Sequence, residues 1–167
     1  MEQLTDFGQA ESKVLCDVLE FLDSLRKLPG NIDSLDSGIS LLRELRASLY
    51  ESLNQIQHGY LILQALRWLR GQGFGGEKPT WYWNPRQTGD ASEPDLMARD
   101  GTSVLLCAEV TTSEKPSGTI DTRMRETLEK LSRMEGRKFY IVRTQEMARR
   151  ARTKVNAGSW NIEIVQI

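Results

Sequence analysis

Residues 92–112 read SEPDLMARDGTSVLLCAEVTT. Two short strand candidates flank Asp100-Gly101, a dipeptide that favours a tight hairpin turn. Each strand carries one carboxylate. Asp95 follows Pro94 at the start of the first, and Glu109 lies near the end of the apolar run Val104–Val110. A lone acid inside VLLCAEV is costly to bury unless it has a partner. A hairpin of this kind brings both acids to one end of a sheet, where they are placed to share a divalent metal.

Working outward, Leu4–Leu28 repeats apolar residues at helical steps (Val14, Leu15, Val18, Leu19, Leu22, Leu25), and Pro29-Gly30-Asn31 ends that helix. A second helix starts near Asp33 or Asp36, both good caps, with the stripe Ile39, Leu42, Leu45, Leu49, Leu53 and Ile56. The two predict an antiparallel helical hairpin over residues 1–54, suited to interaction or dimerisation, followed by an α/β domain over 55–167. His58-Gly59 interrupts the pattern without having to break the helix, which continues to Arg70. A literal GxGxxG (Gly71, Gly73, Gly76) follows a helix and opens none, so it fails the structural test of a dinucleotide fingerprint.

Beyond it the pattern predicts strands at Thr80–Trp83, the hairpin, Phe139–Val142 and Trp160–Ile167. Helices are expected from Asp121 to about Met134, closed by Gly136, and from about Gln145 to Asn156. The order α-β-β-β-α-β-α-β implies a mixed sheet flanked by helices on both faces.

The chain has 167 residues and a net charge of -1, enough for one full core and against a uniformly basic surface. Charge is uneven, however. Residues 1–60 are acidic on balance, whereas residues 115–154 carry twelve Lys and Arg against five acids, as a polyanion-facing half would. Solvated helix faces account for the same pattern. Cys16 and Cys107 are isolated and in apolar contexts, so both read as small buried residues, and a single histidine argues against a zinc site. The opening residues lack an apolar segment and no run reaches membrane-spanning length. The expectation is a soluble cytoplasmic protein.

The pair Pro94-Asp95…Glu109-Val110-Thr111, set in this element order, resembles the PD-(D/E)XK nuclease superfamily, the restriction-endonuclease-like fold; the likeness spans roughly residues 55–167. It implies Mg²⁺ (or Mn²⁺) held by Asp95, Glu109 and the backbone carbonyl of Val110, with His58 as a secondary candidate ligand. It implies hydrolysis of nucleic acid, DNA in the first instance, and a catalytic lysine two residues beyond the glutamate. Thr111 stands there instead. Its hydroxyl can orient a water but brings no charge. Arg125 on the next helix is the preferred substitute cation and Lys115 the next, with Lys130 third.

Phosphate contacts are expected from Arg86, Arg123, Arg149, Arg150 and Arg152, and Trp81, Tyr82 and Trp83 offer stacking faces or core. The alternative is a degenerate, non-catalytic module that binds nucleic acid or assembles, with dimerisation through the N-terminal helices. Structural roles also stand: Asp95 as a strand-start cap, and Glu109 as the partner of a basic residue.

Overall fold

The computed structural model describes residues 1–28, 31–74, 79–85 and 92–167. Among them are β1 (Glu2–Leu4), α1 (Phe7–Arg26), α2 (Leu35–Gly71), β2 (Thr80–Trp83), β3 (Leu96–Asp100), β4 (Ser103–Thr111), α3 (Thr119–Ser132), β5 (Arg137–Val142), α4 (Gln145–Gly158) and β6 (Glu163–Gln166). The six strands form one mixed sheet in the order β1-β2-β3-β4-β5-β6. The first four are antiparallel to their neighbours, and β5 and β6 join in parallel. The chain is of the α/β class.

Alternation along the strands separates two cores. Leu106, Ala108 and Val110 point to the face covered by α1 and α2, together with Trp81, Trp83, Leu96 and Phe139. Cys107 and Tyr140 point to the other face, where Met124, Leu128 and Leu131 of α3 meet Met147, Ala148 and Ala151 of α4. This is the period-two rule applied to a sheet buried on both sides.

Several boundaries differ from expectation. Residues 2–4 form an edge strand paired to β2, where helix was expected from Leu4; three residues give too short a window for a period to show. α2 is one helix of 37 residues, capped by Ser34 through a reciprocal pair with Ser37 rather than by Asp33 or Asp36. Residues 54 and 55 therefore lie inside a single helix, and Leu4, Ala10 and Val14 share a core with the sheet. Gly59 lets α1 close on α2: a Cβ there would sit 3.3 Å from Val14 Cγ2. α3 begins at Thr119, so Asp121 occupies its first turn instead of capping it. Cys107 is buried, but Cys16 is exposed on α1. The glycine motif is only partly visible, since Gly76 lies outside the described residues.

One irregularity sets the register at the strand ends. From the turn, Asp100 pairs with Ser103 and Arg99 with Val104, but Ala98 pairs with Leu106, so β4 carries a bulge at Leu105. A bulge shifts register by one and exchanges which side chains face each other. Gly136, at φ +73°, lies against this bulge, and a Cβ there would come within 2.6 Å of the Leu105 carbonyl oxygen. Gly136→Ala combines a left-handed backbone with a clash against main chain. It should cost about 2–3 kcal/mol in urea unfolding, and a loss below about 0.5 kcal/mol would contradict this role for the glycine.

Candidate functional site

Past the bulge, β3 and β4 pair Leu96 with Ala108. Carried one residue further, that register sets Asp95 opposite Glu109. Both acids are 5% exposed. Asp95 is fixed from three directions: its carbonyl accepts from the Asn84 backbone N–H at 2.8 Å, its Oδ2 accepts from the Val110 N–H at 2.8 Å, and its Oδ1 lies 3.3 Å from His58 Nε2. The other ring nitrogen of His58, Nδ1, is 3.3 Å from the Pro85 carbonyl oxygen. An imidazole facing two acceptors is best served by a proton on each nitrogen. Burial pulls the His58 pKa down, but the hydrogen bond and charge of Asp95, with help from Pro85, outweigh it and leave it raised.

Glu109 faces the α3 side of the sheet. Lys130 of α3 brings its Nζ within 2.5 Å of Glu109 Oε1 and donates to the Glu93 carbonyl at 3.2 Å. Apart from this lysine, no donor reaches the buried Glu109 Oε1. Burial raises the Glu109 pKa, the facing Asp95 raises it further, and Lys130 offsets only part of this. Two buried carboxylates side by side cannot both ionise cheaply, which is why Glu109 keeps its proton above the usual glutamate range. Tyr140, paired with Glu109 across β4 and β5, is likewise pushed up by burial and hydrogen-bonds Thr111.

Glu109 lines a cleft of about 850 Å³. One wall is α2, with Tyr50, Glu51, Asn54 and His58. The other is α3, with Ile120, Arg123 and Thr127. The floor is Glu109–Ser113 and Tyr140. Asp95 is not part of the lining.

The structure thus brings together Asp95, Glu109, Val110, Thr111, His58 and Arg123. Of the three cations weighed against Thr111, Lys130 makes the contact. At about 100° per residue, Arg123, Thr127 and Lys130 share one side of α3, while Arg125 points well away from it. None of Lys130, Arg125 and Lys115 lines the cleft, but Lys130 contacts Glu109 whereas Arg125 and Lys115 are exposed. The i, i+4, i+7 spacing of Arg123, Thr127 and Lys130 was present in the sequence as a signal for this face. Arg150 forms a two-point ion pair with Asp121, at 2.6 and 2.9 Å, and Lys154 joins it at 3.0 Å, which holds the Asp121 pKa well below the usual range. Arg150 is therefore committed to tying α4 to α3. Arg149 and Arg152 are exposed on α4 away from the cleft lining, and Arg86 lies outside the described residues. Trp81 and Trp83 are buried in the core and present no stacking face. Tyr50, at the cleft, is exposed.

No described helix is long and apolar enough to cross a membrane. Comparisons with protein families, with characterised proteins and with solved structures returned no match.

The raised Glu109 pKa has a consequence for stability. In the folded chain Glu109 keeps its proton to a higher pH than in the unfolded chain, so stability falls as pH rises above the ordinary glutamate range. Glu109→Gln keeps the shape and removes the titration. In urea unfolding the variant should match the wild type near about pH 4 and exceed it by about 1–2 kcal/mol near about pH 8. An equal difference at both pH values would contradict the assignment.

Proposed function

We propose that the cleft hydrolyses phosphodiester bonds of nucleic acid, DNA in the first instance, with a divalent metal. The observation that carries this reading is the pair of opposed, buried carboxylates at adjacent strand ends, with a lysine ammonium on one of them and a cleft in front. Surface acids would need none of this arrangement, and a purely structural ion pair would need only one of the two carboxylates.

The donor set suits a hard cation. Asp95 and Glu109 offer carboxylate oxygens, and a dication would offset the burial and the repulsion from Asp95 that raise the Glu109 pKa. Among the described residues no three His, Cys, Asp or Glu are arranged to hold a metal ion by themselves, so the backbone oxygen of Val110 and water would complete the shell. Bound there, Mg²⁺ or Mn²⁺ would supply Lewis acidity and a water of lowered pKa.

The chain's own residues do the rest. His58 has both ring nitrogens directed at acceptors, so in this arrangement it orients Asp95. Lys130 supplies the positive charge that Thr111 cannot, next to where charge builds on the phosphorus oxygens. Thr111 Oγ1 lies 3.3 Å from the Ser113 N–H and is linked to Tyr140, which fixes the floor of the cleft. Arg123 is placed to hold a flanking phosphate, and Tyr50 to stack on a base. In the reaction an oxygen of water bonds to phosphorus and gives up one proton to solvent, the bond to the leaving oxygen breaks, and that oxygen takes up a proton from solvent.

Glu109→Ala should abolish Mg²⁺- or Mn²⁺-dependent cleavage of DNA substrates, and cleavage that survives would overturn the reading. Lys130→Ala should reduce the rate by about 10²–10³-fold, as loss of one transition-state cation does. Arg125→Ala and Lys115→Ala should stay within about twofold, because neither side chain reaches the cleft. Independently of turnover, Mg²⁺ should raise the melting temperature of the wild type and not of Glu109→Gln.

A second reading, nucleic-acid binding without cleavage, is favoured by Thr111, which brings no charge where the resemblance calls for a lysine. Calorimetry showing no metal binding alongside retained DNA affinity would decide for it.

A further inference from the structure

The exposed large apolar side chains of the described residues all fall between Leu15 and Tyr60. In α1 they are Leu15, Leu19 and Leu22. In α2 they include Leu35, Ile39, Leu42 and Leu53, with Leu35 80% and Leu42 60% exposed. The α2 residues, with the partly covered Leu49 and with Arg46, follow a 4-3-4-3-4 spacing, the stripe of a helix that packs on another helix.

Both stripes lie on the same side of the hairpin. The α1 face that meets α2 runs through Val14, Val18, Phe21 and Leu25, and the α2 face that meets α1 runs through Leu45, Ser52 and Gly59, all buried or half-buried. Contact between Val14 and Gly59, and between Glu11 and Arg67, fixes the antiparallel sense. At about 100° per residue each exposed stripe lies roughly a quarter turn round from this seam, and in antiparallel helices the two turns lead to one side. The cleft-facing residues Glu51, Asn54 and His58 lie on the opposite side of α2.

This part of the hairpin has no interior of its own. After Val14, α1 has no buried residue, and between Leu35 and Gln57 the only buried residue of α2 is Gly38. Helices in water gain most of their stability from a packed apolar face, which here is only half provided.

We infer that this face binds the same face of a second copy, closing two hairpins into a four-helix bundle. Half-exposed leucines leave roughly 80–100 Å² each, so the seven leave about 600 Å² per copy, and two copies reach the lower end of the area that stable interfaces bury. The commitment to a second copy rests on symmetry. Every exposed large apolar side chain of the described residues lies between Leu15 and Tyr60, so a second copy presents the same face, and a contact that uses that face twice is a closed two-fold.

Sedimentation equilibrium of the whole chain at about 50 µM should give twice the 19.0 kDa chain mass. Leu19→Gln/Leu42→Gln should return it to the single-chain mass, with helical circular dichroism retained because both positions face solvent in one copy. Should the double variant lose helicity, Leu22→Gln alone, a smaller change, should weaken association at least about tenfold. A single-chain mass for the wild type at every concentration up to about 200 µM overturns the inference. So does a dimer that survives the substitutions unchanged. A monomer that floats with phospholipid vesicles, or that binds only an unrelated helical protein, would assign the face to that occupant instead.

Discussion

Two carboxylates facing each other out of water impose the central constraint on this structure. An isolated buried charge costs several kcal/mol, and a second charge of the same sign adds to it. The fold meets the cost from both sides of the sheet. α2 delivers His58 to Asp95, α3 delivers Lys130 to Glu109, and the backbone N–H of Val110 binds the remaining aspartate oxygen. Three separate elements therefore converge where a protein selected for stability alone would place apolar residues. The compensation is incomplete, since Glu109 still holds its proton above the ordinary range. That residual repulsion is what a bound dication would remove.

α2 is the element that joins the site to the rest of the molecule. Within its 37 residues one side packs on α1, a second walls the cleft, and a third is apolar and exposed. Its C-terminal half, from His58 to Leu69, is anchored in the core against the sheet. Its N-terminal half has no such anchor. One helix shared by the cleft and the apolar face ties the position of each to the other. Gly59 lies against Val14 of α1, so a larger side chain there would press on the neighbouring helix.

Much of this was legible in the chain. Asp100-Gly101 marked the hairpin, the apolar run in VLLCAEV marked a strand buried on both faces, and the lone acid within it marked the site. The element order pointed to an α/β class with a mixed sheet. Lys130 was harder to place, because its neighbours in sequence, Glu129 and Leu131, say nothing about which side of the sheet α3 covers. Arg125 was equally well charged and closer to the expected position. Only the helix rotation, set by Met124, Leu128 and Leu131 seeking the core, turned Lys130 toward Glu109 and Arg125 to solvent. The same packing drew Arg150 onto Asp121, which charge counting along the chain had left available for phosphate.

By itself the sequence determined that Asp95 and Glu109 would stand on neighbouring strands, because turn chemistry and apolar patterning are local properties. It did not determine that they would face each other. From the two-residue turn at Gly101-Thr102, simple pairing would have set Asp95 opposite Ala108. The bulge at Leu105, against which Gly136 packs, moves the register by one and brings Glu109 across from Asp95 instead. That shift is fixed by the glycine that leads into β5, far away in the chain, and so it belongs to the tertiary structure alone.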